Sequence, residues 1–172
     1  MYIIEEYYRR VLKKEPPYYA KYSLPTIIWK PIRKILNATI IPNIPFNFMR
    51  VNLYRLIGFK IGHRVFIGMK CYLDDIDVKM ITIEDDVTIS YGCYFACHGK
   101  DQVHTPIHIK KGAYIGLRVN IISGKRGVTI GENAIIGAAA LVNRDVPNSV
   151  TAVGVPIKII KIKEEKTNVN KI

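Results

Sequence analysis

No stretch of this sequence approaches the roughly 20 uncharged residues that a helix needs to cross a bilayer, which excludes a membrane bundle. The longest candidate, Asn37 to Met49, is broken by Pro42 and Pro45. Acidic side chains are scarce: 14 Asp and Glu stand against 26 Lys and Arg, a formal charge of +12. Cysteine is scarce too, and the three present form no CxxC pair, which argues against both a disulfide framework and a structural zinc site. The N-terminus carries Glu5 and Glu6 where a secretion signal would need a basic start and an apolar run, so the expected location is cytoplasmic. What remains is 172 residues, 49% apolar and 23% charged: room for one domain with an extension, not for several cores.

A surface this basic attracts polyanions such as nucleic acid, anionic lipid or a phosphorylated cofactor. The charge is unevenly placed. Residues 1–50 hold nine basic and three acidic residues, among them the pairs Arg9-Arg10 and Lys13-Lys14, and the tail after Val155 adds Lys158, Lys161, Lys163, Lys166 and Lys171. No stacking aromatics accompany these runs on a recognisable surface, so nucleic acid is not the expected partner.

An internal repeat decides the fold class. An aliphatic or aromatic residue recurs every six positions: Ile61, Ile67, Leu73; Ile83, Ile89, Phe95; Ile109, Ile115, Ile121; Ile130, Ile136, Val142. The next residue is usually small or acidic, as at Gly62, Gly68, Glu84, Ser90, Gly116, Gly131 and Gly137. Four positions after the aliphatic sits a compact residue: Val65, Cys71, Val87, Cys93, Ala113, Val119, Ala134, Ala140 and Val146. A period of six fits neither a helix nor a simple strand. It fits short flat strands joined by tight corners, three hexads to a turn, with equivalent positions stacked about 4.8 Å apart. The expectation is an all-β solenoid with capped ends. Cys71 and Cys93 fall at its compact inward positions; Cys97 lies outside the register and is expected to be partly exposed. Two breaks, His98 to Pro106 and three residues around Ser123–Gly127, become outward loops, where function is commonly carried.

The repeat is absent from residues 1–49. Tyr2 to Lys14 reads as a short amphipathic helix ending before Pro16-Pro17, and Ile27 to Ile35 as a second apolar-basic stretch containing Trp29, Lys30, Arg33 and Lys34. Two readings stand: a cap over the open end of the coil, or a peripheral contact with anionic lipid through an interfacial helix. The expected organisation is an N-terminal extension over 1–49, a repeat domain over 50–157 and a basic tail over 158–172 that packs back along the prism and frays after Lys163.

From Arg50 to Lys161 the pattern resembles the hexapeptide-repeat acyltransferases, proteins built on a left-handed parallel β-helix. The lead-in Asn52-Leu-Tyr-Arg-Leu-Ile-Gly58, the acidic pair in Tyr72-Leu-Asp-Asp75, and Phe95-Ala-Cys-His98, with Cys97 where threonine is usual, are similar to the sugar O-acetyltransferase branch. The closing run from Ile130-Gly-Glu-Asn through Val142-Asn-Arg-Asp-Val-Pro147 to Ala152-Val-Gly-Val-Pro156 is the most specific match.

The resemblance implies an enzyme that moves acetyl from acetyl-coenzyme A to a hydroxyl of a sugar or glycan, as a homotrimer with sites between subunits and without a metal. A hydroxyl is a poor nucleophile until a base takes its proton, a task suited to histidine. Matched position gives that role to His98, with Asp75 as orienter of the ring and Asp74 and His104 as substrate contacts. His108 is a lesser candidate of the same kind and His63 plain surface. Gly137, Ala138 and Ala139 are implied to hold the pantetheine arm, and Asn143, Arg144, Lys158 and Lys161 the phosphates; Lys125 and Arg126 are a further guess without a motif. The competing readings are an N-acetyltransferase on an amino or nucleotide sugar, a zinc hydratase of the same fold, and a non-catalytic β-helix used for binding or scaffolding.

Overall fold

The computed structural model describes residues 3–14, 24–98 and 104–162. The chain divides into two compact units, Met1–Leu36 and Asn37–Ile172. The first holds two amphipathic helices, α1 (Ile3–Arg10) and α2 (Leu24–Ile35). Glu5–Arg9 and Glu6–Arg10 ion pairs at i, i+4 support α1. Pro16, Pro17, Lys163, Lys166 and Lys171 lie outside the described residues.

The second unit is a parallel β-solenoid. Strands β1 (Lys60–Ile61), β4 (Ile81–Ile83), β7 (Ile107–Ile109) and β10 (Val128–Ile130) form sheet A. Sheet B stacks β2 (Phe66–Ile67), β5 (Thr88–Ile89), β8 (Tyr114–Ile115), β11 (Ile135–Ile136) and β13 (Val150–Val153). Sheet C stacks β3 (Tyr72–Leu73), β6 (Tyr94–Ala96), β9 (Asn120–Ile122) and β12 (Leu141–Val142). Each coil thus contributes one strand to each sheet, and the register aligns the hexads: Ile67, Ile89, Ile115 and Ile136 pair in sequence, as do Leu73, Phe95, Ile121 and Val142. These side chains are fully buried and fill the prism, and the compact residues from Val65 to Val146 are buried with them.

Two tight corners per coil each take one residue in the left-handed region. These are Arg64, Asp86, Gly112, Asn133 and Ser149 between sheets A and B, and Lys70, Gly92, Arg118, Ala139 and Gly154 between B and C, with φ from 51° to 97°. The small residue after the aliphatic is demanded by the neighbouring coil. A Cβ on Gly116 would lie 2.7 Å from the Ala138 nitrogen and 2.8 Å from the Ile136 carbonyl oxygen, backbone atoms that cannot swing aside. Gly116→Ala is expected to destabilise the unit by about 1–3 kcal/mol, the usual cost of overpacking, as a lowered midpoint in chemical denaturation.

The third corner, from sheet C to sheet A, is different in every coil: residues 74–80, 123–127 and 143–145, and in the second coil a passage of which Cys97–His98 and His104–Pro106 are described. The expected breaks, His98 to Pro106 and the insertion around Ser123–Gly127, are two of these; the passage after Leu73, with a 3-10 turn at Val78–Met80, is another on the same edge. Irregular chain therefore collects along one edge of an otherwise regular column.

The ends of a solenoid expose unpaired strand edges that must be covered. At the first coil, residues from Asn37 and helix α3 (Asn47–Leu56) do this with side chains. Arg50 donates through Nε and Nη2 to the Ile67 carbonyl at 2.9 and 2.6 Å, Tyr54 to the Cys71 carbonyl at 3.1 Å, and Asn37 to the Leu73 carbonyl at 2.7 Å. Asn47 takes the Ile67 N–H and gives to the Val65 carbonyl. At the far end, β14 (Lys158–Ile162) turns back antiparallel on β13 and closes sheet B. The start of the basic tail is thus a strand of the fold.

Candidate active site

His98 follows β6 on the irregular edge, directly above the point where the preceding coil leaves β3. Leu73 is the last inward residue of that strand. At Asp74 the chain turns, and the carboxylate caps its own turn by accepting the Ile76 N–H at 3.1 Å, an Asx-type bond. The other oxygen reaches up to the next coil, accepting the Cys97 N–H at 2.8 Å and meeting His98 Nδ1 at 2.6 Å. Asp74 is 1% exposed and the His98 ring 36%. An Nδ1–H donated to a fixed carboxylate leaves the lone pair on Nε2. A buried acceptor and an oriented, part-exposed imidazole are the parts of a general base.

This corrects the expectation for Asp75. Its carboxylate is turned back toward its own coil and accepts the Tyr72 hydroxyl at 3.1 Å. The carboxylate that meets the next coil at Cys97 and His98 is that of Asp74, the first residue after the strand. Burial, then the nearby Asp75 and Asp74 carboxylates, raise the Tyr72 phenol above its ordinary range, so it stays a donor. Its ring stacks on Tyr94 with centroids 4.9 Å apart.

The loop that begins at His98 is pinned at its base. His98 and His104 pair through their backbones, and the Thr105 N–H donates to the Cys97 carbonyl. Thr105 Oγ1 meets Ser123 Oγ and the Gly124 carbonyl, each at 2.7 Å, tying this loop to the insertion of the next coil. Neither Thr105 nor Ser123 is among the candidate site residues read from the sequence, although both lie within its two breaks. His104 is exposed at the loop base. Lys125 and Arg126 are exposed on the adjoining insertion. Residues 99–103 lie outside the described residues.

Cys97 is also a correction. It is 2% exposed, because β6 runs on past the hexad position to pair with Ile122 and holds the following backbone against Asp74. Burial, with the Asp74 charge, pushes its thiol up to about 12. Cys71 and Cys93 are buried in the core as expected. All three thiols are expected to resist Ellman's reagent in the native protein at pH 8 and to react once guanidinium unfolds it.

The other histidines are separate. His63 is exposed. His108 points outward from β7 and meets Glu84 at 2.6 Å, beside a shallow groove of about 510 Å³ lined by Lys60, Thr82, Glu84, Asp85 and Lys111. That groove lies at the other end of the sheet A strands from Asp74 and His98. Among the described residues, no three His, Cys, Asp or Glu side chains converge as metal ligands.

The residues implied for the cofactor occupy two edges. Gly137, Ala138 and Ala139 form the corner between sheets B and C in the fourth coil, with Ala138 and Ala139 exposed. Asn143 and Arg144 are exposed on the same irregular edge as His98, two coils further on; Arg144 donates to the Ile157 carbonyl at 2.7 Å. Lys158 is exposed at the start of β14 and Lys161 lies on the same strand.

No protein-family model matches the chain. Among curated proteins it is 33% identical over 119 residues to galactoside O-acetyltransferase of Escherichia coli, covering 61% of this chain and 57% of that one. It is 31% identical over 116 residues to a probable acetyltransferase of Mycobacterium tuberculosis, covering 66% and 33%. The chain therefore spans about half or less of the length of these relatives. Among solved structures, a hexapeptide-repeat acetyltransferase from Vibrio cholerae superposes with a TM-score of 0.68 at 24% identity, over 83% of this chain and 95% of that one. A maltose O-acetyltransferase from Clostridium difficile superposes with a TM-score of 0.64 at 22% identity, over 95% and 100%; both share the fold. With coils stacked in register and sequence relatives that are themselves acetyltransferases, this chain shares its fold with hexapeptide-repeat acetyltransferases and is similar in sequence to acetyltransferases.

Proposed function

We propose that the protein transfers acetyl from acetyl-coenzyme A to a hydroxyl of a sugar or glycan, by direct attack in a ternary complex on the cytoplasmic side. The observation that carries this reading is the 2.6 Å contact between buried Asp74 and His98, which leaves Nε2 as an oriented base. His98 Nε2 takes the proton of the acceptor hydroxyl as its oxygen attacks the thioester carbonyl. The carbon–sulfur bond breaks, and the imidazolium returns the proton to the departing sulfur as the free thiol. A backbone amide from a neighbouring copy stabilises the oxyanion between these steps, and no acyl-enzyme forms.

Two relatives support the donor: the Vibrio acetyltransferase has been solved with acetyl-coenzyme A and galactoside acetyltransferase with coenzyme A. Here the arm would lie along Gly137–Ala139, and Asn143, Arg144, Lys158 and Lys161 would meet the phosphates. On one chain the Gly137–Ala139 corner and the His98 edge sit at opposite ends of the sheet C strands, so a second copy against this face would close the cleft between them; this supports a homotrimer. His104, exposed at the base of the loop, would contact the acceptor. The test is thiol release from acetyl-coenzyme A across simple sugars, amino sugars and capsule or cell-wall glycan fragments. Acceptor-dependent release with product carrying an O-acetyl group supports the reading. Release only with amino sugars would make it an N-acetyltransferase, and none with any acceptor a binding protein.

A further inference from the structure

We propose that α2 docks the protein on an anionic lipid surface, lying in the plane of the headgroups. The helix carries Ile28, Trp29, Ile32 and Ile35, a spacing that places all four on one helical face. In an ordinary amphipathic helix that face is covered by the core. Here it is bare: the four are 62, 43, 44 and 58% exposed. Lys34 is exposed beside them, with Lys30 and Arg33 half-buried on the same helix. Twelve residues span about 18 Å at the helical rise, far too short to cross a bilayer and long enough to lie on one.

The charge around this face decides the partner. From residue 16 to residue 73 the sequence contains no Asp or Glu at all, against nine Lys and Arg; every acidic residue of the chain lies outside that stretch. The second unit opens, by itself, with another bare apolar set in the same acid-free stretch. Phe46, Phe48, Met49 and Leu56 are 59, 66, 40 and 76% exposed, while the other face of α3 caps the coil. A second copy could cover the apolar stripe of α2 but would set its basic residues against their own kind. A nucleic acid would take the charge and leave four large apolar side chains in water. An anionic bilayer satisfies both, since an apolar stripe flanked by basic residues with an aromatic anchor is the composition of an interfacial helix.

Trp29 is the only tryptophan in the chain, so its emission reports on this face alone. The full chain would be titrated with vesicles of phosphatidylglycerol mixed with phosphatidylcholine, and with phosphatidylcholine vesicles. The expected result is a blue shift and co-sedimentation with the anionic vesicles only, reversed by raising salt. Lys34→Ala should weaken partitioning about fivefold, the share of one basic side chain near an anionic surface. The double variant Ile28→Ser with Ile32→Ser, which keeps the reporter and changes exposed positions only, should weaken it at least about tenfold. Three results would each overturn the proposal: no response to anionic vesicles, an equal response to both vesicle types, or a blue shift without vesicles that grows with protein concentration. A fourth is binding to duplex DNA in place of vesicles, unchanged in the double variant. The readout uses neither acetyl-coenzyme A nor an acceptor, so it stands or fails independently of the proposed transfer reaction.

Discussion

Alanine in place of His98 is expected to lower acetyl-transfer turnover by about 10²–10⁴-fold, the range for loss of a positioned general base, or about 2.7–5.5 kcal/mol at the barrier. The fold should survive. The ring is 36% exposed and, among the described residues, its hydrogen bond is to Asp74, which keeps the N–H groups of Cys97 and Ile76 as partners after the ring is gone. Donor affinity should change little, because the residues proposed to hold coenzyme A lie two coils away or on another corner. Steady-state kinetics with the best acceptor, with coenzyme A binding by calorimetry and a thermal melt as controls, would check this. A variant within a few-fold of the parent would place the base elsewhere and remove the basis for direct transfer.

The column itself was legible because its physics is repetitive. Each inward aliphatic meets its own equivalent one coil above, so a period of six in the sequence is the same fact as the stacking of Ile67, Ile89, Ile115 and Ile136. The glycines after these positions were legible for the same reason. What the period does not carry is the side on which a corner residue emerges. Asp74 and Asp75 are adjacent, chemically alike and both buried; their roles separate only through the turn at Ile76 and the height of Cys97 in the next coil, which no spacing encodes. Cys97 was misplaced for a related reason, because a strand can run one residue past its hexad and take the next one inside.

A cap was expected from residues 1–49, but not that α3 carries it on into the expected repeat domain through Arg50 and Tyr54, and that signal was present. Asn47, Arg50 and Tyr54 recur at helical spacing on the face of α3 that turns inward, whereas Phe48, Met49 and Leu56 turn out. Against a packed core that helix would be inside out. Against the open edge of a solenoid it is the right way round, since the edge presents carbonyls that need donors: buried Arg50 serves the Ile67 carbonyl, and Tyr54 that of Cys71. An inverted helix at the start of a repeat is thus a readable mark of an edge cap.

Asp74→Asn tests the orientation of the base separately from its presence. The asparagine oxygen can still accept the Ile76 N–H, so the turn is retained, while the amide NH₂ takes the place of the oxygen that served Cys97 and His98 and now faces His98 Nδ1. Only a ring nitrogen with a lone pair can accept that donor, so the proton moves to Nε2 and the base presents N–H to the acceptor where it should present a lone pair. Turnover should fall by about 10²–10⁴-fold, comparable to removing the ring, with KM for the donor little changed. A merely structural role for Asp74 would lower stability without altering the tautomer. Long-range ¹H–¹⁵N spectra of the imidazole separate the two: the parent should show the Nδ1–H form of His98 and the variant the Nε2–H form. An inactive variant that keeps the Nδ1–H form would show that Asp74 acts on something other than the histidine tautomer.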